Sequence, residues 1–347
     1  MLVAVLAALV VITLLAAAIA TVSARAVAEA QADVTAFEAE VAMTGTRDTL
    51  LYLLNTQRQT FGGITVDDQV VWSVGQATAS RPEDEFEEPS RLPIGNEIRL
   101  DGTPYLGLDG ARFALQDDAG LFSPNWSFPM YRPGFFSMLG VPAEQWAGLE
   151  AKRLDYQDPD TLYRLDGAEA EQYAKAELPA PTNRPLVTPL ETRGILGWGK
   201  PLAAMDDNAL ASTITAARTV QVNVNTAPKA VLRALPGVDE ATAERIVALR
   251  HDLPFMLQWQ FVDAFNLPLS EEDPIGLLAV GYGTLKLWHT AGGPVQLVHW
   301  TLTPVDAGGR PWRLDYEIAL PRDDVTDSAI ARPTQAPLLA QPGPPGG

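Results

Sequence analysis

The chain has 347 residues, no cysteine and a formal net charge of −18. The lack of cysteine excludes disulfides, thiolate metal sites and cysteine nucleophiles. The acidic excess argues against nucleic-acid binding, because phosphates attract a basic surface. A chain of this length can bury the cores of two modest domains.

The first 24 residues carry no charged side chain, and Arg25 is the first charged residue. An apolar helix of that length can cross roughly 30 Å of membrane hydrocarbon, at about 1.5 Å per residue. Three interpretations are open: a secretory signal peptide cleaved after Ala20, a plain membrane anchor, and the first half of a longer stem helix. The signal-peptide interpretation lacks the basic residues that normally precede the apolar run.

The residues that follow favour the stem helix. Residues 25–59 contain one glycine and no proline, and they are rich in Ala, Glu, Gln and Leu, which are strong helix formers. We therefore predict that the transmembrane segment 1–24 continues as one helix to about Gln59, with its second part outside the membrane. Larger apolar residues recur there at helical spacing and predict a face for partner helices. These residues are Val27, Val34, Phe37 and Val41.

Two stretches of strand patterns predict the head, which we assign to residues 60–126 and 284–322. Residues 61–75 carry β-branched and aromatic residues between glycines, as in a strand or short hairpin. Residues 97–125 contain two Asp-Gly dipeptides, which are typical of hairpin turns, and predict two or three antiparallel strands. The second stretch predicts three more strands separated by Gly-Gly pairs.

Residues 127–283, between these stretches, predict short helices joined by Pro, Gly, Asp and Asn. Because strand patterns stand on both sides, we predict an all-α domain inserted into one sheet. Residues 323–347 are rich in Pro and Gly and predict a disordered tail. The predicted fold class is α+β: a long N-terminal helix packed on an antiparallel sheet, with a large all-α domain inserted between strands.

Acidic residues cluster in the predicted helical domain. They are Asp155, Asp158, Asp160, Asp166 and Glu169. Oxygen ligands at close spacing suit Ca²⁺, which accepts six to eight of them, although the pattern is not that of an EF-hand loop. A structural interpretation is equally open, because Asp158 before Pro159 is typical of a helix start and Asp166 before Gly167 of a turn.

Residues 222–250 resemble a helix-hairpin-helix module with a Leu-Pro-Gly turn that ends at Gly237. In nucleic-acid binders of this type, a second glycine two residues later lets backbone amides approach a phosphate. Asp239 stands at that position and puts a carboxylate where the phosphate would lie. Basic and acidic residues nearly balance in the segment, so it favours a structural hairpin.

Catalytic patterns are missing from the sequence. The histidines His251, His289 and His299 are scattered, with neither a zinc-protease motif nor a nucleophile elbow. We therefore predict that the protein is not an enzyme.

Several segments occur in the order found in one known family. After the uncharged N-terminal helix they are RFALQDDAGLFSPN, LDYQDPD, DGAEAEQY, PLETRGILGW and VNVNTAPKAVLRALPGV. In this order they resemble protein K of the type II (general) secretion pathway, a minor pseudopilin. The resemblance covers nearly the whole chain except the tail.

The resemblance implies a pilin-like head with an inserted α-domain at the tip of a periplasmic pseudopilus. There it would assemble with minor pseudopilins I and J, initiate and cap the filament, and so serve protein export. It also implies a single-pass protein of the bacterial inner membrane with its bulk in the periplasm, a precursor processed by prepilin peptidase, and Ca²⁺ in the α-domain. The positions that match the calcium site are Asp155, Asp158, Asp160 and Glu169.

Two other functions stand beside this expectation. A membrane-anchored helix-hairpin-helix protein that binds nucleic acid is the alternative, and tight, salt-sensitive binding to duplex DNA would favour it. A periplasmic hydrolase on a membrane anchor is the third, and it would need a nucleophile or cofactor that the sequence does not reveal.

Overall fold

The computed structural model describes residues 1–66, 91–125, 129–270, 272–304 and 309–340. The helices are α1 (Leu2–Thr56), α2 (Arg132–Met138), α3 (Ala143–Gln157), α4 (Ala170–Lys175), α5 (Asp207–Ala211), α6 (Lys229–Leu232), α7 (Glu240–Asp252), α8 (Gln258–Phe265) and α9 (Asp324–Ser328). The strands are β1 (Gln59–Thr60), β2 (Gly63–Ile64), β3 (Asp101–Leu106), β4 (Ala111–Asp117), β5 (Val222–Asn223), β6 (Ile275–Gly276), β7 (Tyr282–His289), β8 (Gly292–Leu302) and β9 (Trp312–Leu320). Most of the predicted strand region 61–75, the boundary at 126–127 and the tail end 341–347 lie outside the described residues.

Helix α1 is one continuous helix, as the sequence predicts. Its N-terminal part lies in solvent, and by length and composition it could cross a membrane once. Burial begins at Ala39 and includes Leu50 and Leu53, which pack in the core of the head. The stem is therefore divided into a longer exposed part, which begins with an uncharged apolar stretch, and a shorter part built into the head.

Five strands form an antiparallel sheet in the order β3-β4-β7-β8-β9. Because side chains alternate along a strand, Phe113 and Leu115 of β4 face α1 and pack with Leu50. Ala114, between them, belongs to a second apolar cluster on the opposite face, which includes Ala211 at the end of α5. The sheet is thus covered by the stem on one face and by the helical region on the other.

The helical region lies between two strands that are direct neighbours in the sheet. Strand β4 pairs with β7, and the pair closes with Asp117 opposite Gly283. A Cβ at Gly283 would lie 2.3 Å from the carbonyl oxygen of Gln116, so this close pairing requires glycine. The predicted α+β class, with helices inserted between strands of one sheet, is confirmed.

The inserted region has two apolar cores. The first contains Phe122, Phe135 and Trp198, and the rings of Phe122 and Phe135 stack with their centroids 3.7 Å apart. The second is formed by the hairpin α6–α7 together with α8, around Ile246 and Phe261. Each core is large enough to hold its own group of short helices in place.

Two details of the inserted region differ from the prediction of helices alone. Strands β5 and β6 form a short parallel pair. Helix α5 ends at Ala211. Beyond it the chain extends, because Ile214 forms a bridge with Phe122 and the β-branched Thr213 and Thr215 favour an extended backbone.

The tail also differs from the prediction of disorder. Arg332 makes two backbone hydrogen bonds to β3, at 2.8 Å to the amide of Leu106 and 3.0 Å to the carbonyl of Pro104. Ala336 and Leu339 are buried in the core beneath α1. Disorder is therefore the wrong prediction for residues 323–340, because a few apolar side chains that fill a place in the core outweigh a Pro-rich composition.

Candidate functional site

The predicted partner face of the stem lies in solvent. Val27, Val34, Phe37 and Val41 are each between 54% and 66% exposed. Their spacing puts them on one stripe of α1. Beside Phe37 and Val41 there is a hollow of 380 Å³ between stem and head, which Asp109 and His289 also line. An exposed apolar stripe beside a hollow is a surface suited to a protein partner.

The acidic residues of the predicted calcium site meet where α3 ends and α4 begins. Asp155 is completely buried, and it accepts hydrogen bonds from the backbone amides of Arg164 at 3.0 Å and Ala168 at 2.9 Å. The Arg164 guanidinium also donates to Asp155 and Asp158. Asp160 is exposed and accepts from a neighbouring backbone amide, so it lies at the rim.

Two buried oxygens of this cluster lack a donor. Asp158 Oδ1 and Glu169 Oε1 have no hydrogen-bond partner among the described residues. Burial raises the pKa of Glu169, and the negative charges of Asp155, Asp158 and Asp160 raise it further. A buried carboxylate oxygen without a donor is a group that a hard cation would satisfy. Asp155, Asp158 and Glu169 therefore offer the oxygen ligands that calcium prefers, although no group of three or more His, Cys, Asp or Glu side chains in the described residues is already arranged to hold a metal ion.

The close packing around the acidic cluster explains why residue 167 is a glycine. A Cβ at Gly167 would lie 1.9 Å from Asp155 Oδ2, so any larger residue would displace the buried carboxylate. Glu169 N-caps α4 with its second carboxylate oxygen, and Gln172 returns a bond to the Glu169 amide at 3.0 Å. These local constraints hold the carboxylates in place from both sides.

In the helix-hairpin-helix segment the turn is covered by other residues, whereas a nucleic-acid binder would leave this turn accessible to a phosphate. Gly237 has φ +79°, and a Cβ there would come within 2.5 Å of the Pro268 ring. The turn is thus packed against the chain that follows α8. Asp239 accepts a hydrogen bond from the Thr242 amide at 2.8 Å and caps α7. The amides of Val238 and Thr242 are therefore used by the protein itself.

Lys229 and Arg233 of the hairpin are paired with acidic residues, whereas the exposed Arg245 lies over the Phe265 ring at 5.4 Å. Lys229 contacts Glu240 at 2.6 Å and Glu244 at 3.3 Å. Arg233 contacts Glu240 at 3.0 Å. Since phosphate contacts need unpaired cationic groups, this surface is poorly suited to duplex DNA.

A buried junction between the sheet and the helical region was not predicted from the sequence. Asp117, at the end of β4, is completely buried and accepts four hydrogen bonds. The donors are the amide of Val280 (3.0 Å), the amide of Ala119 (3.2 Å), the hydroxyl of Thr226 (2.7 Å) and the side-chain amide of Asn223 (2.8 Å). Burial raises the pKa of Asp117 to about 7, and these bonds offset only part of that rise. One carboxylate thus ties β4 to the hairpin segment and to the chain that returns to β7.

The neighbouring Asp118 forms a second link. It is completely buried and lies 2.9 Å from His299 Nε2 on β8, while His299 Nδ1 lies 2.8 Å from Asp315 on β9. Thr215 of the helical region donates to Asp118 at 2.5 Å. Burial lowers the pKa of His299, but hydrogen bonds to the two carboxylates outweigh it and raise the pKa to about 9. A protonated imidazole donates from both nitrogens, so it can bridge both aspartates.

The sequence offered a weak signal for this junction. Two consecutive aspartates follow the apolar strand β4, where one of them must be turned inward if the chain continues into a second domain. Their partners, however, lie 106 residues away at Asn223 and 181 residues away at His299. Local patterns do not carry that information.

Comparison with known proteins gives two similarities. The helix-hairpin-helix motif family matches residues 217–256, a range that includes the predicted segment 222–250. The chain is also similar to a chain in the crystal structure of the GspK-GspI-GspJ complex from the type 2 secretion system of enterotoxigenic Escherichia coli. The identity is 17%, the TM-score is 0.43, and the similarity covers 60% of this chain and 80% of the other. None of the curated proteins matches the chain.

Proposed function

We propose that this protein is a minor pseudopilin of a type II secretion system, located at the tip of the pseudopilus, where it initiates and caps assembly. The observation that carries the proposal is the division of α1 into a longer exposed part that begins with an apolar stretch and a shorter part buried in the head. Such a helix can anchor the subunit in the inner membrane and then pack against the stems of neighbouring subunits. The head would then lie in the periplasm.

The place of the helical region supports a capping role. The turn between β3 and β4 lies beside the stem, where the Leu108 amide donates to the Thr46 hydroxyl at 3.0 Å. That end of the sheet faces the exposed part of α1. The helical region begins at Asp117, at the other end of β4. The insertion therefore adds bulk on the side away from the membrane, where it would obstruct the addition of another subunit.

The remaining parts of the proposal concern partners and activity. The partners would be minor pseudopilins I and J, and prepilin peptidase would process the precursor, as the sequence resemblance implies. The role is mechanical, so we propose no catalytic activity. The packed turn at Gly237 and the paired Lys229 and Arg233 make the nucleic-acid alternative the weaker one.

Lysine substitutions on the stem test the proposal. In the full-length protein, co-expressed with candidate I and J subunits, Phe37→Lys with Val41→Lys is expected to reduce the recovered complex by on the order of tenfold, because two charges would be buried between helices. Co-purification in detergent measures the loss. Ala32→Lys with Ala36→Lys is the matched control, since both alanines are exposed on the opposite side of α1. Equal recovery with both pairs of substitutions would contradict the proposed stem interface.

We also propose that Asp155, Asp158 and Glu169 hold calcium. The support is the close set of carboxylates, with two buried oxygens lacking donors among the described residues. Calcium would supply positive charge there and fix the end of α3 against the start of α4. At calcium concentrations above Kd, the stabilisation of the folded protein would increase with the logarithm of the calcium concentration.

Thermal unfolding of the full-length protein tests the calcium proposal. We expect CaCl2 to raise Tm relative to chelator. At a calcium concentration of 100 times Kd, binding stabilises the folded protein by about 2.7 kcal/mol. Glu169→Gln should remove most of that increase, while its remaining carbonyl oxygen can still cap α4. Glu171→Gln is the control, because Glu171 is an exposed neighbour that pairs with Lys175 at 2.7 Å. An identical response of wild type and Glu169→Gln would contradict the site.

A further inference from the structure

Arg164 occupies the centre of the acidic cluster. Its Nη1 atom lies 2.5 Å from Asp155 Oδ1 and also donates to Asp158 Oδ2. The side chain remains 43% exposed, whereas the Asp155 side chain is fully buried. The guanidinium therefore enters from solvent and bridges two carboxylates that would otherwise repel each other.

The bridge leaves the cluster incompletely neutralised. One positive charge is shared by Asp155 and Asp158, and Glu169 Oε1 is without a donor in the described part of the chain. In the described structure the guanidinium donates to Asp155 and Asp158, and it does not satisfy Glu169 Oε1. A divalent cation carries twice the charge and accepts oxygens from every direction. The cluster is thus better matched to the cation than to the arginine.

Both occupants need the same space. The gap between Asp155 Oδ1 and Asp158 Oδ2 is bridged by a single nitrogen atom. Because Asp155 Oδ2 already accepts from two backbone amides, a cation held by Asp155 would use Oδ1, the oxygen that Nη1 contacts, and would repel the charge of the guanidinium. Cation binding and the Arg164 bridge are therefore mutually exclusive.

We propose that Arg164 is a built-in competitor for the divalent-cation site, so that the cation binds only when the arginine side chain leaves. This inference rests on the calcium site proposed above. The apparent affinity is lowered by the fraction of molecules in which the gap is open. The site then responds to the calcium concentration of its surroundings, as weak extracellular calcium sites do, and is not permanently filled.

Displacement of Arg164 also affects the loop that carries it. Leu162, Tyr163 and Leu165 are at least 65% exposed. The loop is tied to the cluster by the Arg164 guanidinium and by its backbone amide, which donates to Asp155 Oδ2 at 3.0 Å. Loss of the side-chain bonds leaves the backbone amides of Leu162, Arg164 and Ala168 as the ties to Asp160 and Asp155. Calcium is therefore expected to tighten the cluster and loosen this apolar loop at the same time.

Calcium titration of the full-length protein in detergent tests the inference, with CaCl2 as the only probe. Arg164→Gln is expected to lower Kd by about tenfold or more, because the competing charge is gone. Arg164→Lys keeps the charge and should remain near wild type. Arg184→Gln is the matched control, since Arg184 forms an exposed pair with Glu191 at 3.1 Å in the same region. It should leave Kd unchanged.

Tryptic cleavage after Arg164, followed by mass spectrometry, reports on the side chain itself. A guanidinium held between two carboxylates is protected from trypsin, so calcium is expected to accelerate this cleavage in the wild-type protein. Equal Kd values for wild type and Arg164→Gln, or slower cleavage in calcium, would overturn the inference and leave the calcium site intact. Absence of calcium binding in both proteins would overturn the site and the inference together.

Discussion

Replacing Asp117 by alanine is expected to bring the protein close to global unfolding. The substitution removes the acceptor of four hydrogen bonds and leaves the amides of Val280 and Ala119 and the side-chain amide of Asn223 buried without a partner. Each such group costs about 1–3 kcal/mol, so the loss is on the order of 4 kcal/mol or more. The stability of a typical domain is only about 5–15 kcal/mol.

Urea unfolding of the full-length protein measures this loss. Asp117→Asn retains one acceptor oxygen and is expected to lose less than Asp117→Ala. The control is Asp252→Ala, because the Asp252 side chain is 87% exposed and should change stability by less than about 0.5 kcal/mol. A loss below 1 kcal/mol for Asp117→Ala would mean that the junction does not hold the two parts of the molecule together.

The second large effect is a loss of stability as the pH rises from 7 to 9. The pKa of His299 is raised to about 9 in the folded protein, from an ordinary value of 6.5. A base with a raised pKa stabilises the fold fully below its unfolded pKa and loses that contribution as the pH passes the folded pKa. The free energy of unfolding should therefore fall by about 2 kcal/mol over this interval.

Other groups of the junction titrate at lower pH. The raised pKa of Asp117, about 7, decreases stability as the pH rises from the ordinary value of 3.8 towards 7. Burial opposes ionisation of Asp315, but its bonds with His299, Thr301 and Arg313 prevail and lower its pKa, so its contribution is lost only in acid. Above pH 7 we therefore expect His299 to contribute the largest part of the change.

His299→Gln provides the comparison, because glutamine cannot titrate. Its unfolding free energy should depend on pH between 7 and 9 much less than that of the wild type. His251→Gln, a change at a half-exposed histidine, should retain the wild-type dependence. A steep pH dependence that persists in His299→Gln would assign the effect to another group.

Some elements could be predicted because their determinants are local. Helix α1 follows from an unbroken run of helix formers, and it ends at Thr56, close to the predicted Gln59. The hairpin β3–β4 follows from alternating residues around Asp109-Gly110, where both residues have positive φ. In each case the residues that decide the structure are within a few positions of one another.

Other features depend on distant residues and could not be predicted. The acidic cluster was recognised by its spacing, but the position of Arg164 among the carboxylates depends on how the loop folds back. Leu339 looks like part of a disordered tail until the place it fills beneath α1 is known. The role of Asp117 has only a weak local signal in the sequence, because its partner Asn223 lies 106 residues away.

The neighbouring positions of β4 and β7 have a consequence for how the chain folds. Their paired residues are between 166 and 178 positions apart, and closing so long a loop costs conformational entropy before any strand contact forms. The helical region has two cores of its own, so it can fold early from shorter-range contacts. Once folded, it holds its two ends side by side, and the sheet then forms by pairing strands that are already close. The insertion thus replaces the closure of one long loop with a series of closures of shorter loops.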